Sequence, residues 1–309
     1  MSLAEKIQSL YSKFGSLKGV TVELHKQLIA IAVKNEAASA TVFLQGAQLA
    51  EYQRVGERPV LWLSESCEYQ AGTALRGGIP VCWPWFGQFE RNPEALQQQL
   101  DEGTYPAHGF VRNREWQLES IELVDSETTR LILSLNVEGD SGWPYPANLK
   151  MIITVGTELR LCFEVKNCGD QTFKFTSALH SYFNISHVDS VTVTGLEGVQ
   201  YLDTLQEWRS FSSDRPLSVN AEVDRVYRNL PIEVVLNDRR FSRSICLQAE
   251  NAPDMVVWNP WTNKAKTLTH FPDQAYLRMI CLETASVLDN LVTLAPNERH
   301  KMALTLSVI

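Results

Sequence analysis

Leu159-Arg160-Leu161-Cys162-Phe163-Glu164-Val165-Lys166 is the stretch that decides the fold. Leu159, Leu161, Phe163 and Val165 take one parity; Arg160, Glu164 and Lys166 take the other. In an extended chain successive side chains point to opposite faces, so this alternation gives one apolar and one charged face, whereas a helical period would scatter both sets. Leu131, Leu133, Leu135 and Val137 repeat the pattern upstream, and Met302, Leu304, Leu306 and Val308 repeat it near the end of the chain. Further strand-like runs lie near 20–33, 41–52, 173–183, 191–194, 232–236, 245–249 and 277–285. Gly, Pro, Asn and Asp separate them. Many short strands between turn residues predict an all-β chain, with antiparallel sheets packed as a large sandwich.

Two segments depart from this period. Leu3, Ile7, Leu10, Tyr11 and Phe14 recur at helical spacing, Ser2 and Glu5 have capping-box spacing, and Gly15 is a stop signal. The spacing predicts a short helix over 1–15, packed on the outside of the sheets. The stretch 88–107 is polar, with room for one helical turn, and reads as a long loop. No Gly/Ser-rich or Pro-rich linker and no internal repeat interrupts the 309 residues, so the expectation is one domain over 1–309.

Composition excludes several classes. A hydrophobic fraction of 44% with 21% charged residues is a globular balance, not a disordered one. The net charge of −8, without a basic stripe, speaks against a nucleic-acid partner. An anionic ligand would have to be held by a few local cations against the overall field. No uncharged run is long enough to cross a bilayer, and the charged opening segment lacks the apolar core of a secretory signal. The six cysteines, scattered and without zinc-like spacing, read as reduced and mostly buried thiols in a cytoplasmic protein.

Four motifs could carry chemistry. Arg76-Gly77-Gly78-Ile79-Pro80-Val81-Cys82-Trp83-Pro84-Trp85-Phe86-Gly87 is a sharply turned aromatic loop headed by an arginine able to grip a carboxylate or phosphate. It could line a sugar pocket or simply pack a core. His108-Gly109-Phe110-Val111-Arg112 could aim His108 and Arg112 into one cavity. His180, within Ala178-Leu179-His180-Ser181-Tyr182-Phe183, suits either a hydrogen-bonded core position or proton transfer near neutral pH. Glu283, within Leu277–Thr284, shares a strand face with Leu277, Met279 and Cys281. Both faces of that run are largely apolar, so its carboxylate needs an ion-pair partner or a functional reason. Two weaker features are Val257-Trp258-Asn259-Pro260-Trp261, followed by Lys264 and Lys266, and Asp224, which could bond a sugar hydroxyl.

In this order the motifs RGGIPVCWPWFG, HGFVR, ALHSYF, VVWNPW and CLETA resemble the aldose 1-epimerase (galactose mutarotase-like) superfamily, and within it the hexose-6-phosphate mutarotase branch, the glucose-6-phosphate 1-epimerases. The resemblance runs from about residue 20 to the end. It implies a β-supersandwich with a groove across one sheet, no metal and no other cofactor. It implies His180 as general acid and Glu283 as general base. Arg76 and Arg112 would hold the phosphate, Asp224 would meet a sugar hydroxyl, and His108 and Trp258 would be further substrate-binding residues. One departure is Ala107, where some relatives carry a glutamine that contacts substrate. The implied activity is interconversion of the α and β anomers of a hexose 6-phosphate, with a small-molecule sugar phosphate as partner, no membrane, and a monomer or weak homodimer. A mutarotase for unphosphorylated aldoses, a non-catalytic carbohydrate-binding domain and a glycosidase using Asp224 and Glu283 are the competing readings.

Overall fold

The computed structural model describes residues 2–139, 142–231 and 233–309, which leaves Ile232 of the 232–236 run outside the described residues. Among the described residues the chain forms two large antiparallel sheets, a four-stranded sheet and a small ribbon, with short helices only. The three alternating stretches all fall in one nine-stranded sheet. There Glu158–Asn167 lies between Arg299–Val308 and Ala147–Val155, followed by Thr129–Val137 and Gln117–Leu123. Register aligns their apolar parities across four strands: Leu133 faces Met151, Met151 faces Phe163, and Phe163 faces Met302. All four side chains are essentially buried except that Leu133, Met151 and Met302 are sealed completely. Each such side chain contributes about 1.5–3 kcal/mol through removal from water.

The eight-stranded sheet runs in the order Arg209–Phe211, Tyr201–Asp203, Val223–Tyr227, Asp254–Asn259, Met279–Ser286, Ser177–Leu179 and Val81–Cys82. Tyr182–Asn184 also pairs with Met279–Ser286. The runs near 20–33 and 41–52 each resolve into parts of two strands, giving the four-stranded sheet Val20–His25, Leu28–Lys34, Ala38–Phe43 and Gln48–Arg54. The run 173–183 is broken into three short strands. One apolar cluster joins these layers, taking Ile31 from the small sheet, Phe163 from the nine-stranded sheet and Leu282 from the eight-stranded sheet.

The helix is Leu3–Phe14, with Ser2 and Glu5 closing the expected capping box. Phe14 is buried, and Leu3, Ile7 and Leu10 pack against the core. Tyr11 does not belong to that stripe: it faces solvent at 53% exposure. In 88–107 a 3-10 turn, Phe89–Arg91, and one helical turn, Glu94–Gln97, are anchored by buried Leu96 and by the packing of Trp85 against Phe89 and Tyr105. All six cysteines are free, four of them buried and Cys168 exposed. No helix among the described residues is long and apolar enough to cross a membrane.

Candidate active site

The strand Met279–Ser286 is buried on both faces, for different reasons. Ile280 and Leu282 point into the main core. The other parity, Met279, Cys281, Glu283 and Ala285, faces away from it toward two small clusters built from the 82–86 segment, Tyr182 and Trp258. Leu277, expected on Glu283's face, lies instead in the 3-10 turn Ala275–Leu277 and packs against the main core, because the strand begins only at Met279.

Backbone register brings the histidine to the glutamate. Ser177–Leu179 and Tyr182–Asn184 pair with the same strand, Leu179 opposite Thr284 and Tyr182 opposite Cys281. Carried through the gap, that register sets His180 opposite Glu283. Hydrogen bonds carry both pairings through the gap: the His180 amide donates to the Pro80 carbonyl at 2.9 Å, and the Leu282 amide donates to the Ser181 carbonyl at 3.2 Å. His180 Nε2 lies 3.4 Å from Glu283 Oε1. Glu283 Oε2 is buried with no hydrogen-bond partner among the described residues.

Rings frame the pair. Tyr182 stacks on His180 with centroids 4.7 Å apart and planes within 5°. The His108 ring centre is 5.3 Å away, and Phe86 and Trp258 are each at 6.5 Å. Asp224 is opposite Trp258, which is opposite Cys281, so all three project to the same face of the sheet. Thus His180, Glu283, His108, Trp258 and Asp224 occupy one neighbourhood.

The electrostatics are those of a dry pocket with cations at its edge. Burial, then the charges of Arg112 and Arg76, push the His180 imidazole down to about 3. Burial, then the Asp224 charge, raises Glu283 well above the carboxylate range. Burial also raises Asp224. Arg76 and Arg112 therefore reach the same field, from different loops. Arg76 donates Nε–H to the Thr269 carbonyl at 3.0 Å, and Arg112 donates from Nη2 to the Ala107 carbonyl at 2.8 Å. Arg112 Nε is buried without a hydrogen-bond partner among the described residues. At Ala107 the polar contact is thus the backbone carbonyl, which braces Arg112.

Of the two readings of the aromatic loop, core packing holds for its tryptophans: Trp83 and Trp85 are fully buried. Trp83 packs edge-on against Trp143 and Phe110, and Trp85 against Phe89 and Tyr105. The glycines of this loop serve close backbone approach: at Gly77 a Cβ would come within 2.4 Å of the Trp62 carbonyl oxygen. Phe86, the third aromatic of that loop, does lie beside the pair. The residues that sequence reasoning missed are Tyr182 and Cys82. Tyr182, two positions after His180 in an extended run, had a usable signal; Cys82 had none.

His180, Cys281 and Glu283 bring potential ligand atoms within 4.8 Å of one another. To hold a metal, the Cys281 thiol and the Glu283 carboxyl would each have to lose a proton that burial retains. The donor set fits proton transfer better than metal binding. A separate groove of about 1000 Å³ crosses the four-stranded sheet past Thr41, Glu51 and Trp62 and holds none of the predicted site residues.

The sequence pattern of the family described as aldose 1-epimerase matches residues 30–307. The chain belongs to the aldose 1-epimerase family. Among curated relatives of this epimerase is a protein of Escherichia coli (strain K12) named "Putative glucose-6-phosphate 1-epimerase", 34% identical over 261 residues, covering 84% of this chain and 83% of the relative. A protein of Cenchrus ciliaris with the same name is 31% identical over 281 residues, covering 87% and 81%. The epimerase's fold superposes on the crystal structure of "a putative mutarotase (YeaD)" from Salmonella typhimurium with a TM-score of 0.85 and 27% identity, covering 98% of this chain and 99% of the other. The all-β sandwich expected from period-two runs, and the mutarotase-like architecture implied by the resemblance, are thus the architecture of this solved relative.

Proposed function

We propose that this epimerase is an isomerase that interconverts the α and β anomers of a hexose 6-phosphate, glucose 6-phosphate first among them. The observation that carries the reading is the direct approach of His180 Nε2 to Glu283 Oε1, 3.4 Å, within the field of two arginines. The printed names of the relatives from Escherichia coli and Cenchrus ciliaris support the substrate.

Ring opening of a pyranose removes a proton from O1 and adds one to O5. Both oxygens are bonded to the anomeric carbon, so their proton partners must sit side by side. A glycosidase instead needs two carboxyl groups about 5–9.5 Å apart across the scissile bond. A glutamate and an imidazole in direct contact suit the first task.

The pair holds one proton between its members. With that proton on His180, Glu283 is free to take the proton of O1 while His180 gives its own to O5. The ring opens, leaving a neutral imidazole and a protonated carboxyl, the charge state that burial favours at this position. Rotation about C1–C2 followed by reversal of both transfers closes the ring on the other face. No covalent intermediate is needed. Each proton transfer is worth about 10²–10⁴ in rate.

Arg76 and Arg112 act on both binding and protonation. Their charges oppose an imidazolium at His180. A phosphate held by those guanidiniums offsets that charge, so the substrate eases the protonation its own opening requires. Phosphate binding far from C1 also orients the reacting carbon. Trp258 covers an apolar face of the sugar, and Asp224 and His108 meet its hydroxyls. The net charge of −8 supports the expectation of no nucleic-acid partner; a sugar phosphate would be held against that field by Arg76 and Arg112.

The test is an anomerisation assay with α-glucose 6-phosphate, coupled to an enzyme that consumes only the β anomer. The wild-type protein is expected to exceed the spontaneous rate clearly. A wild-type rate equal to background overturns the proposal.

A further inference from the structure

His108 is a second imidazole beside the proton-transfer pair, with its ring centre 5.3 Å from that of His180. An imidazole able to gain and lose a proton there would compete with His180. The contacts of its Nδ1 bear on this directly. The Gly87 amide donates to His108 Nδ1 at 3.3 Å. A backbone amide offers no lone pair, so this bond exists only while Nδ1 carries no proton. Cys82 Sγ lies 3.4 Å from the same nitrogen. Burial keeps that thiol protonated, so it approaches Nδ1 as a second donor. A neutral ring with Nδ1 occupied in this way carries its proton on Nε2.

The backbone leaves the ring no alternative seat. His108 adopts φ +66° and Gly109 φ +69°, and a Cβ on Gly109 would lie 1.9 Å from the Trp83 carbonyl oxygen. The His108 amide donates to the Gly87 carbonyl at 2.7 Å, so Gly87 grips both the backbone and the ring. Phe86 closes one side, edge to face at 5.0 Å. The charged and titratable groups facing the ring are Arg112, His180 and Arg76, and all three oppose a positive charge on it, after the larger effect of burial.

We propose that Cys82 is a positioning residue of this site: with the Gly87 amide it holds His108 in the Nε2–H form, so that His108 serves as a fixed hydrogen-bond donor to the sugar and leaves proton transfer to His180 and Glu283. The donor role rests on the anomerisation reading; the tautomer does not.

The tautomer is read by two-bond ¹H–¹⁵N correlation spectra of the full-length, unliganded protein labelled with ¹⁵N-histidine. A His108→Gln variant assigns the signal. The wild-type protein is expected to show the Nε2–H pattern from about pH 8 to about pH 5.5, across the range where free imidazole titrates. Cys82→Ser keeps a donor and should keep the pattern. Cys82→Ala should shift the ratio of Nε2–H to all other forms by roughly 3- to 10-fold, the size of one neutral hydrogen bond. The acid limb of its pH–rate profile should move with it. An Nδ1–H or imidazolium pattern in the wild-type protein at pH 7 overturns the proposal, as does a Cys82→Ala variant identical to wild type in both readouts. If Cys82→Ala does not fold, Cys82→Ser decides: loss of the Nε2–H pattern there also overturns it. A protein that keeps the pattern but turns over no sugar overturns the functional reading instead.

Discussion

Glu164 and Glu283 are both strand glutamates with almost no exposed side chain, at 7% and 2%, yet they sit in opposite situations. Glu164, in the nine-stranded sheet, is met by Arg299 at 2.9 Å and Lys301 at 3.0 Å, two cations whose other ends reach water. Glu283, in the eight-stranded sheet, is met by a histidine that is itself buried, and one of its oxygens has no hydrogen-bond partner among the described residues. The first carboxylate is neutralised by its neighbours and does nothing but hold strands. The second can be neutral only by keeping a proton, and a proton kept so grudgingly is one that can be passed on.

The strongest way to break this comparison is Glu283→Gln. We expect it to lower the anomerisation rate by about 10²–10⁴, the contribution of one acid–base partner, with full folding by circular dichroism. A smaller loss, measured in the same coupled assay, would mean the carboxyl is not the proton acceptor. In the other sheet, Phe163→Ala should cost about 3–5 kcal/mol of stability by denaturant titration, with the rate per folded molecule unchanged. Arg112→Ala should weaken kcat/KM for glucose 6-phosphate by roughly 10- to 150-fold, the size of a charged hydrogen bond of about 1.5–3 kcal/mol. Free glucose should lose much less; equal losses would count against phosphate binding.

The pH dependence sharpens the contrast further. Glu283 holds its proton above the ordinary value of 4.5, so the unfolded chain loses that proton first as pH rises. The stability it contributes is complete below about 4.5 and drains away as pH climbs through the raised range. Glu283→Gln should therefore gain in melting temperature relative to wild type between pH 4.5 and pH 8. His180 acts in the opposite direction: it is held down at about 3 from 6.5, so its contribution fades as pH falls below 6.5. The smallest effect belongs to Glu164→Gln. Its partners Arg299 and Lys301 are more than half exposed and return to water, so about 1 kcal/mol or less is expected by thermal melts, with no change in rate.

In the nine-stranded sheet, the long strands with one apolar face were readable, as in Leu159 to Val165, whereas Gln117–Leu123, Ala147–Val155 and the two-residue Leu217–Ser218 were not among the predicted runs. The eight-stranded sheet was harder. Ser177–Leu179 and Val81–Cys82 are too short to carry a period, and Met279–Ser286 is buried on both faces, so parity alone could not say which face held the site. His180 and Glu283 could be nominated from their chemical oddity in apolar runs, but their meeting depends on register between distant segments, which only the assembled sheet fixes. Trp83 and Trp85 could be read either way for a related reason. A Gly/Pro-rich loop suggests a surface, whereas here its tight turns fold the indoles inward against Trp143 and Phe89. Cys82 gave no signal, because the nitrogen it serves belongs to a different loop.

The facing of His180 and Glu283 on neighbouring strands carries one more consequence. Their spacing is written into the backbone, not into a hinge or a flap that must swing shut. On the proposed mechanism the sugar unfurls, pivots and recloses against two groups that the sheet has already set side by side.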